Sequence, residues 1–408
     1  MIKNKPNLVI LVNAFVSAKS IGGGDRFIME VAPTLSKSAD TTIILPKVGY
    51  RHWLQKGLAK AKYIVLRPTV FDNRDNPFAI MLAYLIRCLQ TIVILKRSRL
   101  SHLVTASHYL PDILPAAVIK WLQPDIRWTA RMYHLIPSPT KRVGNPLTNT
   151  AVFLLQRLSL LFLRYADLIV ADNRETLIHL RKMGFLPNNL KLLLSGIDYQ
   201  TIANHIPRKN FPFAAAYIGR LDPHKGIFDL PQVWRLVVKT LPKTKLAIAG
   251  YGPKETTRNL SREFNRNNPS SSFSFVGFLP HEENGSHPLY DLLKSIKVLL
   301  LPNHEGGWPL TVAEAMAAGV PVVAYDLTIF RTAFTRGRLI APMKDKHIFA
   351  KHVIALLSDE RRRKKIGHIA EKQARQYDVR PISRQFAQLI LGNGPVLPSP
   401  KPRSHPGQ

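Results

Sequence analysis

The chain has 408 residues, of which 46% are hydrophobic, so it is long enough for two domains that each bury a core. Its single cysteine, Cys88, excludes an internal disulfide and a cysteine-rich zinc site and is interpreted as a buried apolar residue. The formal net charge of +32 attracts polyanions, which include nucleic acids, anionic membranes and phosphorylated small molecules, and composition alone does not choose among them.

In the first half, short β-branched runs alternate with amphipathic segments, which is typical of parallel βαβ units. The basic start imitates a signal peptide, but its apolar part is short and precedes a glycine-rich turn, so we interpret residues 8–12 as a buried strand. Arg87 interrupts the most apolar stretch, 78–95, so we expect no transmembrane helix. The further predicted strands are 42–45, 103–105, 128–132 and 168–171, and the predicted helices are 26–36, 111–122, 152–164 and 174–183.

The second half repeats this alternation after a polar, proline-containing stretch at 197–212, which we interpret as the linker. Its predicted strands are 214–218, 245–249, 273–276, 298–301 and 320–324.

The two series predict an α/β fold of two doubly wound parallel-sheet domains with a cleft between them, where the carboxyl ends of such sheets bind ligands. We predict the domains over 1–205 and 206–378. A last amphipathic helix is predicted over 379–391, packing back on the first domain. The proline-rich tail, 392–408, is predicted to be disordered.

The segment AAAYIGRLDPHKG, residues 214–226, places two cations at the end of a strand. The strand ends at Gly219, Arg220 emerges from it, and a proline-containing turn brings Lys225 to the start of the next helix. Arginine binds two phosphate oxygens and lysine adds a point charge, so this pair fits a diphosphate. The alternative is a turn with two solvated cations.

The segment VLLLPNHEGGWPLTVAEAMAAGVPVVA, residues 298–324, runs from a buried strand through a Gly-Gly turn into a helix. The first backbone N–H groups of that helix, at Leu310 and Thr311, are unpaired and can bind phosphate. Glu314, in the second turn, can accept hydrogen bonds from ribose hydroxyls. The alternative for Glu314 is a capping-type carboxylate.

Together these segments resemble glycosyltransferase family 4, whose members are retaining enzymes with the GT-B fold. NAFVSAKSIGGGDRF is similar to the family's glycine-rich loop, RMYHLIPSP to its strand that ends in histidine, and YADLIVADN to its strand before the domain junction. SGID is similar to its Asn-Gly-Val-Asp turn, and IAGYGP and FVGFLP to its second-domain strand ends. The ordered set extends over most of the chain.

The resemblance implies a nucleotide-diphosphate sugar as donor and no cofactor or metal, because Arg220 and Lys225 would neutralise the departing diphosphate. Glu314 would bind the ribose, and His134 would lie against the reacting sugar. The implied donor-binding residues are Gly23, Gly24, Gly219, Phe278, Leu279, Gly306, Leu310 and Thr311.

One spacing departs from the family, in which two glutamates are separated by seven residues. Here eight residues separate Glu305 from Glu314, and the first glutamate's place falls on Gly306. Either the loop bulges, which Gly306 and Gly307 would allow, or the sugar contact is lost. We expect a bulge, with Glu305 as a catalytic-site contact to the donor sugar.

We interpret the positive charge as attracting phosphates and an anionic membrane. We expect a cytoplasmic enzyme that acts at the inner face of this membrane, on a lipid-linked or cell-surface glycan precursor. Residues 78–95 and 152–164 resemble basic helices that lie in a bilayer interface, with the alternative that both simply cover the first sheet. The nearby cations are Arg74, Lys96, Arg97, Arg99, Arg157 and Arg164, and a further run, RRRKK, occupies 361–365.

Three other functions stay open. A basic nucleic-acid-binding protein would need a recognisable binding module or basic residues interleaved with aromatics, and the sequence shows neither. An epimerase or a phosphorylase on the same fold is the nearest enzymatic alternative. The third is a glycosyltransferase-like protein that binds its ligand without catalysis, which the altered spacing of the two glutamates leaves open. The sequence does not determine the oligomeric state.

Overall fold

The computed structural model describes residues 5–15, 22–56, 61–72, 74 and 76–392. Across this part of the chain, thirteen strands form two sheets in which every pair of neighbours is parallel. The predicted α/β architecture of two doubly wound domains is therefore confirmed. Most of the predicted tail and part of the glycine-rich loop, 16–21, lie outside the described residues.

The first sheet has seven strands in the order β3-β2-β1-β4-β5-β6-β7. Its strands are β1 Asn7–Leu11, β2 Asp40–Pro46, β3 Lys62–Leu66, β4 His102–Thr105, β5 Arg127–Met132, β6 Leu168–Ala171 and β7 Leu190–Leu192. The helices that accompany them are α1 Gly23–Ser38, α2 Lys47–Lys56, α3 Pro77–Leu95, α4 Leu110–Leu122, α5 Pro146–Leu163, α6 Arg174–Lys182 and α7 Tyr199–Ala203.

The second sheet has six strands in the order β10-β9-β8-β11-β12-β13. Its strands are β8 Ala215–Ile218, β9 Leu246–Ala249, β10 Phe273–Gly277, β11 Val298–Leu301, β12 Val322–Tyr325 and β13 Arg338–Ala341. The helices of this half are α8 Leu230–Thr240, α9 Lys254–Asn267, α10 Pro288–Ser295, α11 Leu310–Ala317, α12 Ile329–Thr332, α13 Lys346–Ser358, α14 Glu360–Ala374 and α15 Val379–Leu391.

Each sheet is buried on both faces, as expected of parallel sheets. In β1, Leu8 and Ile10 join the hydrophobic cluster under α1, α2 and α15, whereas Val9 and Leu11 join the cluster under α4, α5 and α6. This alternation follows from the two-residue period of a strand. The carboxyl ends of the strands in each sheet therefore lie along one edge, and the segments singled out in the sequence follow those ends.

Three strands were missed by the sequence reasoning, and all three lie at sheet edges. They are β3, β7 and β13. Each is only partly buried and contains charged residues, so none shows the continuous apolar run that marks a central strand.

Two helices of the described residues, α3 and α5, are by length and composition apolar enough to cross a membrane. The helix α3 continues through Arg87, and the expectation that it does not cross a membrane stays a prediction. Arg87 is buried, its Nη2 lies 2.7 Å from Asp72 Oδ1, and its Nη1 donates to the backbone oxygens of Asn13 and Phe15. The buried side of α3 thus belongs to the domain.

The last helix, α15, packs against the first domain. Phe386 is fully buried in the same cluster as α1, and its ring meets that of Phe27 edge to face at 5.6 Å. Arg131, on β5, lies with its guanidinium carbon 5.7 Å from the Phe386 ring. The chain therefore crosses back from the second domain and completes the core of the first.

Phe386→Ala is expected to destabilise the protein by about 3–5 kcal/mol, because it leaves a cavity in the first domain's core. Arg384→Ala, an exposed position on the same helix, is the matched control and is expected to be nearly neutral. Urea denaturation followed by tryptophan fluorescence measures both midpoints. Equal midpoints for the two variants would contradict this role for α15.

Candidate functional site

His134 follows β5 at the carboxyl edge of the first sheet. Gln156 of α5 fixes its loop, since Gln156 Nε2 donates to the His134 backbone oxygen at 2.9 Å and its Oε1 accepts from Ile136 N at 2.7 Å. The His134 ring meets His108 edge to face at 5.7 Å. Burial, then the neighbouring charges of His108 and Lys225, lower the pKa of His134 well below its ordinary value. The imidazole is therefore neutral at neutral pH and offers a hydrogen bond without a charge.

Lys225 and Arg220 lie together after β8, as the sequence predicted. A short 3-10 turn, Pro223–Lys225, ends at Gly226, where φ is +66° and a Cβ would lie 1.7 Å from the Pro302 backbone oxygen. Only glycine fits there, and the turn it permits sets the position of Lys225. Burial, and next the charge of Arg220, lower the pKa of Lys225 to about 8. Arg220 itself is exposed.

The same strand end contains Gly219, which is closely approached by the next strand's loop. A Cβ on Gly250 would lie 1.8 Å from the Gly219 backbone oxygen. The two other predicted contacts, Phe278 and Leu279, follow β10 at the same edge. Phe278 is exposed and Leu279 packs partly against the core, and their contact with a base stays a prediction.

Glu305 lies in an ion pair between the two domains. Its carboxylate accepts from Arg142 Nε at 3.1 and 3.0 Å and from Arg142 Nη2 at 2.7 Å, and both side chains are largely buried. Arg142 Nη1 also donates to Asn149 of α5 at 3.3 Å. The sequence reasoning missed Arg142, and no local signal could have found it, because it lies 163 residues from its partner.

The loop around Gly306 has a backbone conformation that favours glycine, and the predicted bulge stays a prediction. Gly306 has φ of +149°, a region that glycine enters without strain, and a Cβ there would lie 3.5 Å from Lys225 Nζ. A Cβ on Gly307 would lie 2.6 Å from the Tyr133 backbone oxygen. The two glycines thus let the second domain's loop approach both Lys225 and the backbone next to His134. Sugar contact by Glu305 stays a prediction.

Two helix N-termini meet across the cleft. A Cβ on Gly23, at the start of α1, would lie 3.4 Å from the Leu310 side chain at the start of α11. Neither helix has a side-chain cap, and Thr311 is partly exposed. The positive dipole end of α11 and its first N–H groups suit phosphate, whereas at the start of α1 the buried Asp25 carboxyl already accepts from the Gly22 N–H.

Gly24 is also required by a contact within the protein, and its predicted approach to a ligand stays a prediction. A Cβ at this position would lie 2.4 Å from the Tyr133 ring. The Tyr133 hydroxyl donates to the backbone oxygens of Gly24 at 3.0 Å and Ala106 at 2.9 Å. The glycine therefore makes room for a tyrosine that ties α1 to the strand edge beside His134.

Glu314 is buried in the second turn of α11 and is paired with a residue that the sequence reasoning missed. His281 Nε2 lies 2.7 Å from Glu314 Oε1. Burial alone would raise the pKa of Glu314, but the charge and hydrogen bond of His281, together with Arg26 of α1, hold it below its ordinary value. The carboxylate is thus ionised, and its second oxygen is available to accept further hydrogen bonds.

His281 is itself held in place. His287 Nδ1 lies 2.7 Å from the His281 backbone oxygen, and the His287 ring stacks on Tyr290 at 5.1 Å. The sequence signal was weak: His281 directly follows the FVGFLP strand end, but its contact with Glu314 joins residues 33 positions apart.

The cleft thus brings together, from both domains, neutral His134, the cations Lys225 and Arg220, the Arg142–Glu305 pair, and Glu314 with its histidine. A family model described as glycosyl transferases group 1 matches residues 199–373. The second domain is therefore similar to the group 1 glycosyltransferases. The matched residues include all the predicted site residues of that domain.

Relatives and solved structures extend the likeness. Glycogen synthase of Mycobacterium tuberculosis (strain CDC 1551 / Oshkosh) is 28% identical over 220 residues, which are 50% of this chain and 51% of that protein. Phosphatidyl-myo-inositol mannosyltransferase of Mycobacterium leprae is 27% identical over 177 residues, 42% of this chain and 45% of that protein. The chain spans about half the length of the curated relatives it matches.

The structure of Anabaena HepE in complex with UDP and glucose superposes with a TM-score of 0.73 at 15% identity, over 95% of this chain and 100% of that one. At this identity the likeness shows the fold, which is GT-B as predicted. Among the described residues, no group of three or more His, Cys, Asp or Glu side chains could hold a metal ion. The absence of a metal requirement stays a prediction.

Affinity for a nucleoside diphosphate is expected to fall above about pH 8, because Lys225 has a pKa of about 8 and its neutral amine no longer attracts phosphate. Lys225→Arg, which stays charged, is expected to remove that fall. Arg220→Ala removes a charge that lowers the pKa of Lys225, so in this variant the fall in affinity is expected at higher pH. Calorimetric titrations across this pH range measure the effect, and an unchanged fall in Lys225→Arg would assign it to another group.

His281→Ala is expected to weaken nucleotide binding about tenfold or more, because the buried Glu314 carboxylate loses its hydrogen-bond partner and the pKa of Glu314 rises. His281→Gln keeps an N–H donor and is expected to restore part of the loss. The same titrations at neutral pH measure both. Wild-type affinity in His281→Ala would show that Glu314 does not depend on this contact.

Proposed function

We propose that the chain is a glycosyltransferase that moves a hexosyl unit from a nucleotide-diphosphate sugar to a hydroxyl acceptor. The observation that carries this proposal is the meeting of Lys225, Arg220 and the uncapped N-terminus of α11 in one cleft, opposite the neutral His134. Those groups suit a diphosphate beside an uncharged sugar. The family model that matches residues 199–373 and the HepE structure with UDP and glucose support the same donor class.

In this proposal each site residue has one role. Arg220, Lys225 and the amides of Leu310 and Thr311 bind the diphosphate, and Glu314 binds the ribose. His134 contacts the reacting sugar with Glu305, which Arg142 orients. The base lies along the backbone at Phe278 and Leu279, and Gly23, Gly219 and Gly306 allow close approach of the backbone.

The proposed reaction retains the anomeric configuration. The bond between the anomeric carbon and the diphosphate breaks as the acceptor hydroxyl attacks from the same face. The departing phosphate oxygen takes the hydroxyl proton. Negative charge grows on that oxygen in the transition state, so preorganised cations at Lys225 and Arg220 would lower the barrier without a metal ion.

We further propose that the acceptor is a lipid-linked or cell-surface glycan precursor, used at the inner face of the membrane. The net charge of +32 supports this, since it favours anionic surfaces. One relative is named phosphatidyl-myo-inositol mannosyltransferase, a name that joins a sugar transfer to a lipid. An epimerase or phosphorylase on this fold would give products that do not depend on such an acceptor.

UDP-, GDP- and ADP-sugars are screened by thermal shift, and at least one is expected to raise the melting temperature because it binds only the folded cleft. Lys225→Ala is expected to lose most of that shift, whereas Lys239→Ala, an exposed lysine on α8, is expected to keep it. A screen in which no nucleotide sugar stabilises the protein, or in which Lys225→Ala shifts as the wild type does, would overturn the proposal.

Transfer itself is followed by product analysis with the stabilising donor. Lys225→Ala and Arg220→Ala are each expected to lower turnover about a hundredfold or more while the melting temperature without donor changes little. Unchanged rates in both variants would remove the proposed role of these cations. Donor turnover to an epimer without any acceptor would replace transfer by epimerisation.

A further inference from the structure

The helix α3 has an exposed apolar stripe although it packs on the first sheet. Phe78, Leu85, Leu89 and Val93 recur at helical spacing and are all exposed, Leu89 to 66%. Only 39% of the apolar window 78–95 is buried inside the protein. On the inward side of α3, Arg87 is buried with its hydrogen-bond partners. The packing of the domain therefore does not depend on the outward stripe.

The helix α5 repeats this arrangement. Leu147, Leu154, Leu158 and Leu161 recur at helical spacing and are exposed, Leu147 to 82%. Only 28% of this helix is buried inside the protein. A stripe of this kind on one covering helix is unusual for a surface in water, and here two helices share it.

The two stripes belong to one surface. The helix α4 packs against both α3 and α5, and the three helices cover the same side of the first sheet. At its end α4 adds Trp121, exposed to 79%, and Leu122. We call the exposed apolar residues of α3, α4 and α5 the three-helix face.

Cations border the three-helix face. Lys96, Arg97 and Arg99 are exposed directly after α3, and Arg74 is exposed shortly before it. Arg157 of α5 and Arg164, directly after its end, line a groove of about 330 Å³ together with Leu158, Leu161 and Phe185. An apolar groove with two guanidinium groups suits an acyl chain whose head carries a phosphate.

The three-helix face is joined to the catalytic cleft through α5. On the inward side of this helix, Gln156 holds the backbone of His134 and Ile136. Nearer its start, Asn149 accepts from Arg142, which pairs with Glu305 of the second domain. A surface that binds α5 would therefore lie beside the reacting groups.

We propose that the three-helix face docks on an anionic phospholipid bilayer, with the stripes of α3 and α5 among the acyl chains and the bordering cations at the lipid phosphates. Charge complementarity selects this occupant. A second copy of the chain would bring the same cations against each other, which opposes self-association. One part of this proposal rests on the proposed function: docking would bring a lipid-linked acceptor next to His134.

The test is co-sedimentation of the full chain with vesicles of phosphatidylcholine alone or mixed with phosphatidylglycerol, at low and high salt. Tight binding is expected only with phosphatidylglycerol. Lys96→Glu/Arg97→Glu is expected to weaken it tenfold or more, and high salt to weaken the wild type. Leu85→Ser/Leu89→Ser is expected to weaken it similarly, with an unchanged melting temperature because both leucines are exposed.

The matched control is Arg361→Glu/Arg362→Glu, which makes the same charge change at exposed positions on α14 of the second domain. It is expected to keep most of the binding. Equal loss in the control and the α3 variant would mean attraction by net charge without a docking face, and would overturn the proposal. Full binding by the leucine variant, or self-association without vesicle binding, would overturn it too.

The nucleotide-sugar thermal shift separates this proposal from the proposed function. Variants of the three-helix face are expected to keep the wild-type shift, because none of their residues lies among the donor-binding groups. Vesicle binding that follows the pattern above, with no shift from any nucleotide sugar, would leave the docking face standing and remove the enzymatic proposal. A shift with no vesicle binding would do the reverse.

Discussion

Positive charge that is partly withdrawn from water and only partly neutralised is costly, and the molecule concentrates such charge where its two domains meet. The pKa of Lys225, lowered to about 8, is the sign of that cost. Arg220 lies beside it, and Glu305, the nearby carboxylate, is shared with Arg142 of the first domain. An anion that binds here would relieve the repulsion among these cations, which is the physical basis for a diphosphate site.

Close backbone contacts hold these groups in position. Gly226 turns the chain at Lys225, and Gly307 brings the second domain's loop against Tyr133. On the other side, α5 holds the His134 loop through Gln156. The same helix presents its opposite side to the surroundings, so one element connects the reacting groups with the proposed membrane surface.

The sequence predicted the features that depend on neighbouring residues. The central strand β11 was predicted with its actual bounds, because burial of a strand on both faces gives a continuous apolar run. The start of α11 at Leu310 was also predicted. Edge strands such as β3 gave no such signal. The partners Arg142 and His281 were missed because each contact joins distant parts of the chain. The contact of Gly24 with the Tyr133 ring was missed for the same reason.

The central claim is that the cleft binds the diphosphate group rather than the nucleoside. Calorimetric titration of UDP, GDP and ADP beside the corresponding monophosphates tests it most directly. For at least one base, the diphosphate is expected to bind about tenfold or more tightly than its monophosphate, with an advantage that shrinks as salt is added. If each monophosphate bound as tightly as its diphosphate, the cations between the domains would not be a diphosphate site, and the account would be contradicted.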